Sequence, residues 1–129
     1  MGKNFTQGFK RIFIAFTLIF LTNQTALKAQ NCSAPNGLNV TNISNFTVTL
    51  NWDSVVVANY YRIRYQELGA STWTNKNNIL PAHKKLVNLT QNKGHRWQVR
   101  SYCSSGTSNW SVMDTFQTAN DPLDCNGTP

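Results

Sequence analysis

The stretch that decides the fold is His95-Arg96-Trp97-Gln98-Val99-Arg100-Ser101-Tyr102-Cys103. Its large apolar members, Trp97 and Val99, sit two apart, with arginine and glutamine between and beside them. A strand sends successive side chains to opposite faces, so a period of two marks a half-buried strand with one dry face and one wet one. The same pattern recurs at Phe46-x-Val48-x-Leu50-x-Trp52, Tyr61-x-Ile63-x-Tyr65 and Trp110-x-Val112-x-x-x-Phe116. Taken outward from these anchors, strands are predicted at 38–43, 46–52, 59–67, 71–74, 84–89, 95–103 and 110–118. Seven strands at this spacing, with no helical period after residue 30, predict an all-β, seven-stranded antiparallel immunoglobulin-like sandwich. Two segments are read as loops: Val55–Ala58, tucking one or two valines inward, and Asn75–Pro81.

The first thirty residues differ from the rest. Lys3, Lys10 and Arg11 precede the apolar run IFIAFTLIFL at 12–21, and a polar stretch ends in Ala29-Gln30. That order of basic, apolar and small-residue regions predicts a secretory signal peptide over residues 1–29. The apolar run is half the roughly 20 residues a membrane span needs. No membrane span is therefore expected in the mature protein. Lipidation would need a cysteine directly after the cut, and Cys32 lies beyond that position.

Export changes the charge argument. Of twelve basic residues, Lys3, Lys10, Arg11 and Lys28 leave with the leader, so eight remain against five acids, a net charge of +3. That is too weak a bias to suggest nucleic acid as a partner. Three cysteines remain, Cys32, Cys103 and Cys125, in a compartment that permits disulfides. An odd count leaves one thiol unpaired or paired outside the chain.

No constellation here has the form of a catalytic or metal site. The cysteines lack paired spacing and His83 and His95 lie far apart in sequence, so no zinc site is expected. The acids Asp53, Glu67, Asp114, Asp121 and Asp124 fall in turns or near strand ends, and a small sandwich offers no cleft in which two would face each other. No enzyme activity and no cofactor are expected.

Residues 32–118 resemble a fibronectin type III domain. The resemblance rests on Pro35 and Leu38, Leu50-x-Trp52, Tyr61-x-Ile63-x-Tyr65, Leu89, His95-x-Trp97-x-Val99-x-Ser101, Ser108-x-Trp110-Ser111 and Phe116-x-Thr118, in that order. It looks most like the cysteine-bearing variant found in exported bacterial multidomain proteins. One departure stands out. The family usually places a tyrosine six residues after the Leu89 position, bonding back to the corner between its fifth and sixth strands. Here that residue is His95, whose shorter reach implies a weaker corner or a different bond.

The resemblance implies more than the fold. It puts Cys32 and Cys103 at one pole of the sandwich, where a disulfide would close a long loop. It makes the strands around Ile63 and Trp97 neighbours, so their outward residues Tyr60, Arg62, Arg64, Arg96, Arg100 and Tyr102 would share one face. Like charges side by side are costly unless something separates them. Trp73 and Trp110 could stack between the guanidinium groups; the Ser-x-Trp-Ser pattern resembles half of the motif that builds such ladders in cytokine-receptor domains. Two readings of this face follow: a solvated surface with internal stacking, or a binding surface for an acidic protein or glycan. The expected function is a non-catalytic secreted module, either a spacer or structural domain of a longer exported protein or an independent protein- or glycan-binding module. Residues 119–129 read as a polar tail. Its Cys125-to-Pro129 segment is either a second use of the Cys32-to-Pro35 motif, opening a further domain, or a coincidence.

Overall fold

The computed structural model describes residues 31–120. The expected leader at 1–29 and the tail from 121 onward, with Cys125, lie outside the described residues. Eight strands form: β1 Asn39–Thr41, β2 Val48–Asn51, β3 Ala58–Glu67, β4 Thr74–Ile79, β5 His83–Leu86, β6 Gly94–Cys103, β7 Gly106–Thr107 and β8 Asp114–Gln117. They make two antiparallel sheets. One has the order β1-β2-β5; the other runs β4-β3-β6, and β6 takes β7 at one end of its far edge and β8 at the other. The two-residue β7 and β8 are pieces of one final strand interrupted between them. The architecture is therefore the expected seven-stranded sandwich.

Alternation builds the core. Val48, Leu50 and Trp52 from β2 and its end meet Tyr61 and Ile63 of β3 and Trp97 and Val99 of β6, all buried. Leu86, Leu89, Ile79 and Phe116 close the margins. The Trp52 and Tyr61 rings meet edge to face at 5.4 Å, and Trp52 and Trp97 lie 6.3 Å apart. Burying each such side chain contributes about 1.5–3 kcal/mol. Tyr61 also reaches the loop before β3: its hydroxyl accepts a hydrogen bond from the Val55 amide at 2.9 Å. Val55 packs against the core while Val56 stays exposed, within the expectation of one or two valines tucked inward, although Ala58 already belongs to β3.

Four expectations need correction. The segment read as a loop, Asn75–Pro81, is mostly β4, an edge strand whose first five residues are exposed. An edge strand needs a partner on one side only and can be wholly polar, so it carries no period-two signal. The short strand expected at 71–74 is displaced accordingly, and Trp73 precedes β4. The final strand does not run through Trp110; Val112 is exposed, and only Phe116 of that stretch is buried. Phe46 is half exposed, and Tyr65 lies at the margin of the core, only partly buried.

The corner between β5 and β6 is tied by a residue other than the one expected. His95 is buried and stacks on Phe116, with ring centroids 4.9 Å apart. Its Nδ1 lies 3.1 Å from the Lys93 carbonyl, which can only accept, so Nδ1 carries the proton. This bond reaches just two residues back. The longer tie comes from Thr118, whose hydroxyl donates to the Thr90 carbonyl at 2.7 Å and accepts from the Lys93 amide at 3.0 Å. The end of the last strand thus holds the corner.

Candidate functional site

The outer face of β3 and β6 is built by their register. Tyr60 lies opposite Tyr102, Arg62 opposite Arg100, Arg64 opposite Gln98 and Gln66 opposite Arg96. The four arginines do share one face, but only Arg62 and Arg100 oppose each other directly. The other two each face a glutamine. Gln98 Oε1 accepts from Arg64 Nε at 3.0 Å and from Nη2 at 2.6 Å, and its amide donates to the Ser111 carbonyl at 2.8 Å. Gln66 Oε1 accepts from Arg96 Nε at 2.8 Å, while its Nε2 donates to the Ala70 carbonyl at 2.6 Å. Each glutamine fixes a guanidinium on one side and anchors to backbone on the other.

Aromatic rings fill the gaps along the strand direction. Trp73 lies 5.1 Å from the Arg96 guanidinium and 4.6 Å from that of Arg64. Trp110 lies 4.4 Å from Arg64 and 4.5 Å from Arg100. Arg100 then covers Tyr102 at 5.2 Å, and Tyr102 stacks on Tyr60 at 4.8 Å with planes 13° apart. The sequence Arg96, Trp73, Arg64, Trp110, Arg100, Tyr102, Tyr60 is one continuous ladder. Each indole has a cation on both faces, an arrangement worth roughly 0.5–1 kcal/mol per contact at an exposed site.

Two serines position Trp110. Ser108 Oγ accepts from the Ser101 amide at 2.9 Å, and Ser111 Oγ accepts from the Val99 amide at 3.0 Å. The amides of the same two serines donate to the Ser101 and Val99 carbonyls at 3.0 and 2.8 Å, so each serine pairs with β6 through one backbone and one side-chain bond between β7 and β8. Trp110, between these two anchored serines, lies over Arg64 and Arg100.

The electrostatics are one-sided. None of the outward positions of β3 or β6 carries an acid. The only ion pair among the described residues, Lys93 with Glu67 at 3.8 Å, lies off the ladder. Burial, with the neighbouring charges of Arg100 and Arg96, lowers the Arg64 guanidinium below its ordinary value. Arg62 Nη1 at 3.5 Å and Arg100 Nη2 at 2.8 Å donate to the Tyr102 hydroxyl and hold that phenol below the usual range, outweighing its partial burial. Arg62 Nε and Arg100 Nε have no hydrogen-bond partner among the described residues.

The structure thus brings together every residue expected on this face: Tyr60, Arg62, Arg64, Trp73, Arg96, Arg100, Tyr102 and Trp110. Sequence reasoning missed the bracing role of Gln66 and Gln98, although both hold outward positions on their strands. The structure also joins Cys32 to Cys103 in a disulfide with Cα atoms 5.9 Å apart. A hollow beside this pole is lined by Ser33, Asn36, Asp53 and Val55–Val57, and Asp53 is its only titratable residue. Among the described residues no group of three or more His, Cys, Asp or Glu is placed to hold a metal ion.

Solved structures share this fold. A myokine structure is 19% identical with a TM-score of 0.63, covering 70% of this chain and 100% of that one. The FN5 domain of Drosophila Lar is 16% identical with a TM-score of 0.60, again over 70% of this chain and 100% of that one. The chicken CNTN1 FN1–FN3 domains are 21% identical with a TM-score of 0.59, over 70% of this chain and 32% of that one. The chain therefore has the fibronectin type III fold. No family model matches the chain, and no curated protein is significantly similar to it.

Proposed function

We propose that this chain is a non-catalytic module of a longer exported protein and serves there as a spacer between neighbouring domains. One observation carries the reading: the described chain begins and ends at opposite poles. Cys32 is bonded to Cys103 at the end of β6, whereas the Ala119 carbonyl accepts from the Asn92 amide, just ahead of the start of β6. The ten residues of β6 lie between them, about 33 Å of strand. A module with this layout sets a fixed separation between whatever precedes and follows it. The disulfide supports an oxidising compartment.

The test is an exchange in the full-length protein. Replacing residues 32–118 by an unrelated sandwich of equal length should leave the activity of the parent unchanged. Loss of activity with normal secretion would overturn the spacer reading. A second reading, an interaction module working through the β3–β6 face, is favoured by the unpaired arginines of the ladder.

A further inference from the structure

Taking that second reading as its premise, we infer that the ladder face binds a linear sulfated polysaccharide. Three features of the face select this class of partner.

The first is spacing. Arg96, Arg64 and the Arg62–Arg100 pair occupy three successive outward levels of the register. Levels two residues apart are about 6.8 Å apart along a strand. The backbone levels therefore span roughly 14 Å. The guanidinium groups of Arg96, Arg64 and Arg100, each held 4.4–5.1 Å from the centroid of an intervening indole, form a row along them that matches a polymer whose anionic groups repeat along a line.

The second is the state of the aromatic rings. Trp73 and Trp110 each have a guanidinium on either side. They cannot insert into a pocket or receive a hydrophobic anchor. Protein interfaces draw most of their binding energy from such anchors in desolvated pockets. This face offers charge without one.

The third is donor geometry. Hydrogen bonds on the face use Nε and Nη2 of Arg64, Nε of Arg96, Nη1 of Arg62 and Nη2 of Arg100. A guanidinium has five N–H donors, so each of the four keeps donors free. The ladder holds Arg96, Arg64 and Arg100 in fixed orientations, so little side-chain freedom is lost when a multi-oxygen anion accepts from them.

The experiment measures binding of the exported chain to heparin, with poly-glutamate as the comparison polymer. Three to four ionic contacts should weaken heparin binding by about 20–150-fold between 50 and 200 mM salt. The double substitution Arg62→Gln, Arg96→Gln spares the central Arg64–Trp110–Arg100 stack, which near-ultraviolet tryptophan dichroism will verify. It should weaken binding tenfold or more and flatten the salt dependence. Lys85→Gln, on the opposite sheet, should leave binding unchanged. Equal or tighter binding of poly-glutamate through the same arginines would overturn the polysaccharide inference and leave the interaction reading standing. Failure to bind either polymer would overturn both. An equal loss on Lys85→Gln would show diffuse attraction to net charge and overturn the assigned site.

Discussion

The Thr118 hydroxyl donates to the Thr90 carbonyl across the corner between the two sheets, at 2.7 Å. Thr118 is almost completely buried, so its loss leaves polar backbone groups without water to replace it. Thr118→Val preserves shape and removes only the hydroxyl. It should lower stability by about 1–3 kcal/mol in denaturant unfolding. His95→Phe keeps the stack on Phe116 and removes only the short bond to Lys93, so it should cost about 0.5–1.5 kcal/mol. The reverse order would return the corner to His95.

The ladder predicts a salt-dependent penalty. Trp110→Ala removes the ring between Arg64 and Arg100 and leaves two cations facing each other. Stability should fall by about 1–3 kcal/mol at low ionic strength, from two cation–π contacts plus the repulsion they separate. Raising the salt screens the repulsive part, so the deficit should shrink. Adding Arg64→Met should recover part of the loss, and strict additivity of the two changes would argue against coupling.

The tyrosines should titrate out of order. Arg62 and Arg100 lower the Tyr102 phenol, whereas burial raises that of Tyr65. An absorbance titration should show one phenolate forming early and lost in Tyr102→Phe, and one forming late and lost in Tyr65→Phe. The signs for stability are opposite. Tyr102, depressed in the fold, adds stability above the unfolded value of about 10 and loses it as pH falls through the lowered one. Tyr65, raised, contributes below about 10 and loses that contribution as pH rises through its folded value.

The disulfide closes a loop with a sequence separation of 71. In the chain-entropy account such a link is worth about 4 kcal/mol. Cys32→Ser with Cys103→Ser should lower the unfolding free energy by an amount of that order. For a domain of this size that is a large share of the total. Equal stability with and without reductant would contradict the assignment.

The core makes the last prediction. Trp52 lies between Tyr61 and Trp97. Trp52→Ala should cost about 3–5 kcal/mol and unfold a marginal domain. A native-like variant would contradict the packing.

What the sequence revealed follows from which residues were under two constraints at once. Leu50, Trp52, Tyr61, Ile63, Trp97 and Val99 had to be both apolar and in phase, so their alternation was readable. β4 was not, because an exposed edge strand answers only to its backbone partner, and Thr74–Ile79 is almost all polar. The arginines and tryptophans of the ladder were legible as a set, since outward parity and composition coincide. The glutamines were not singled out, because only the register shows that Gln98 faces Arg64 and Gln66 faces Arg96. Thr118 looked like the polar end of a strand. Its role depends on where the corner at Thr90 and Lys93 comes to rest, which no local pattern encodes.

The covalent link at one pole also dictates how the module would carry tension. A pull applied ahead of Cys32 and beyond Ala119 passes through the sulfur atoms straight to Cys103, bypassing everything from 33 to 102. Only the segment holding β7 and β8 is loaded. Fully extended, that segment reaches about 55 Å, so tearing it free lengthens the module by only about 20–25 Å beyond the strand length already separating its poles. The tryptophan core stays enclosed in an unstretched loop, so the module would behave as a short tether with a built-in stop.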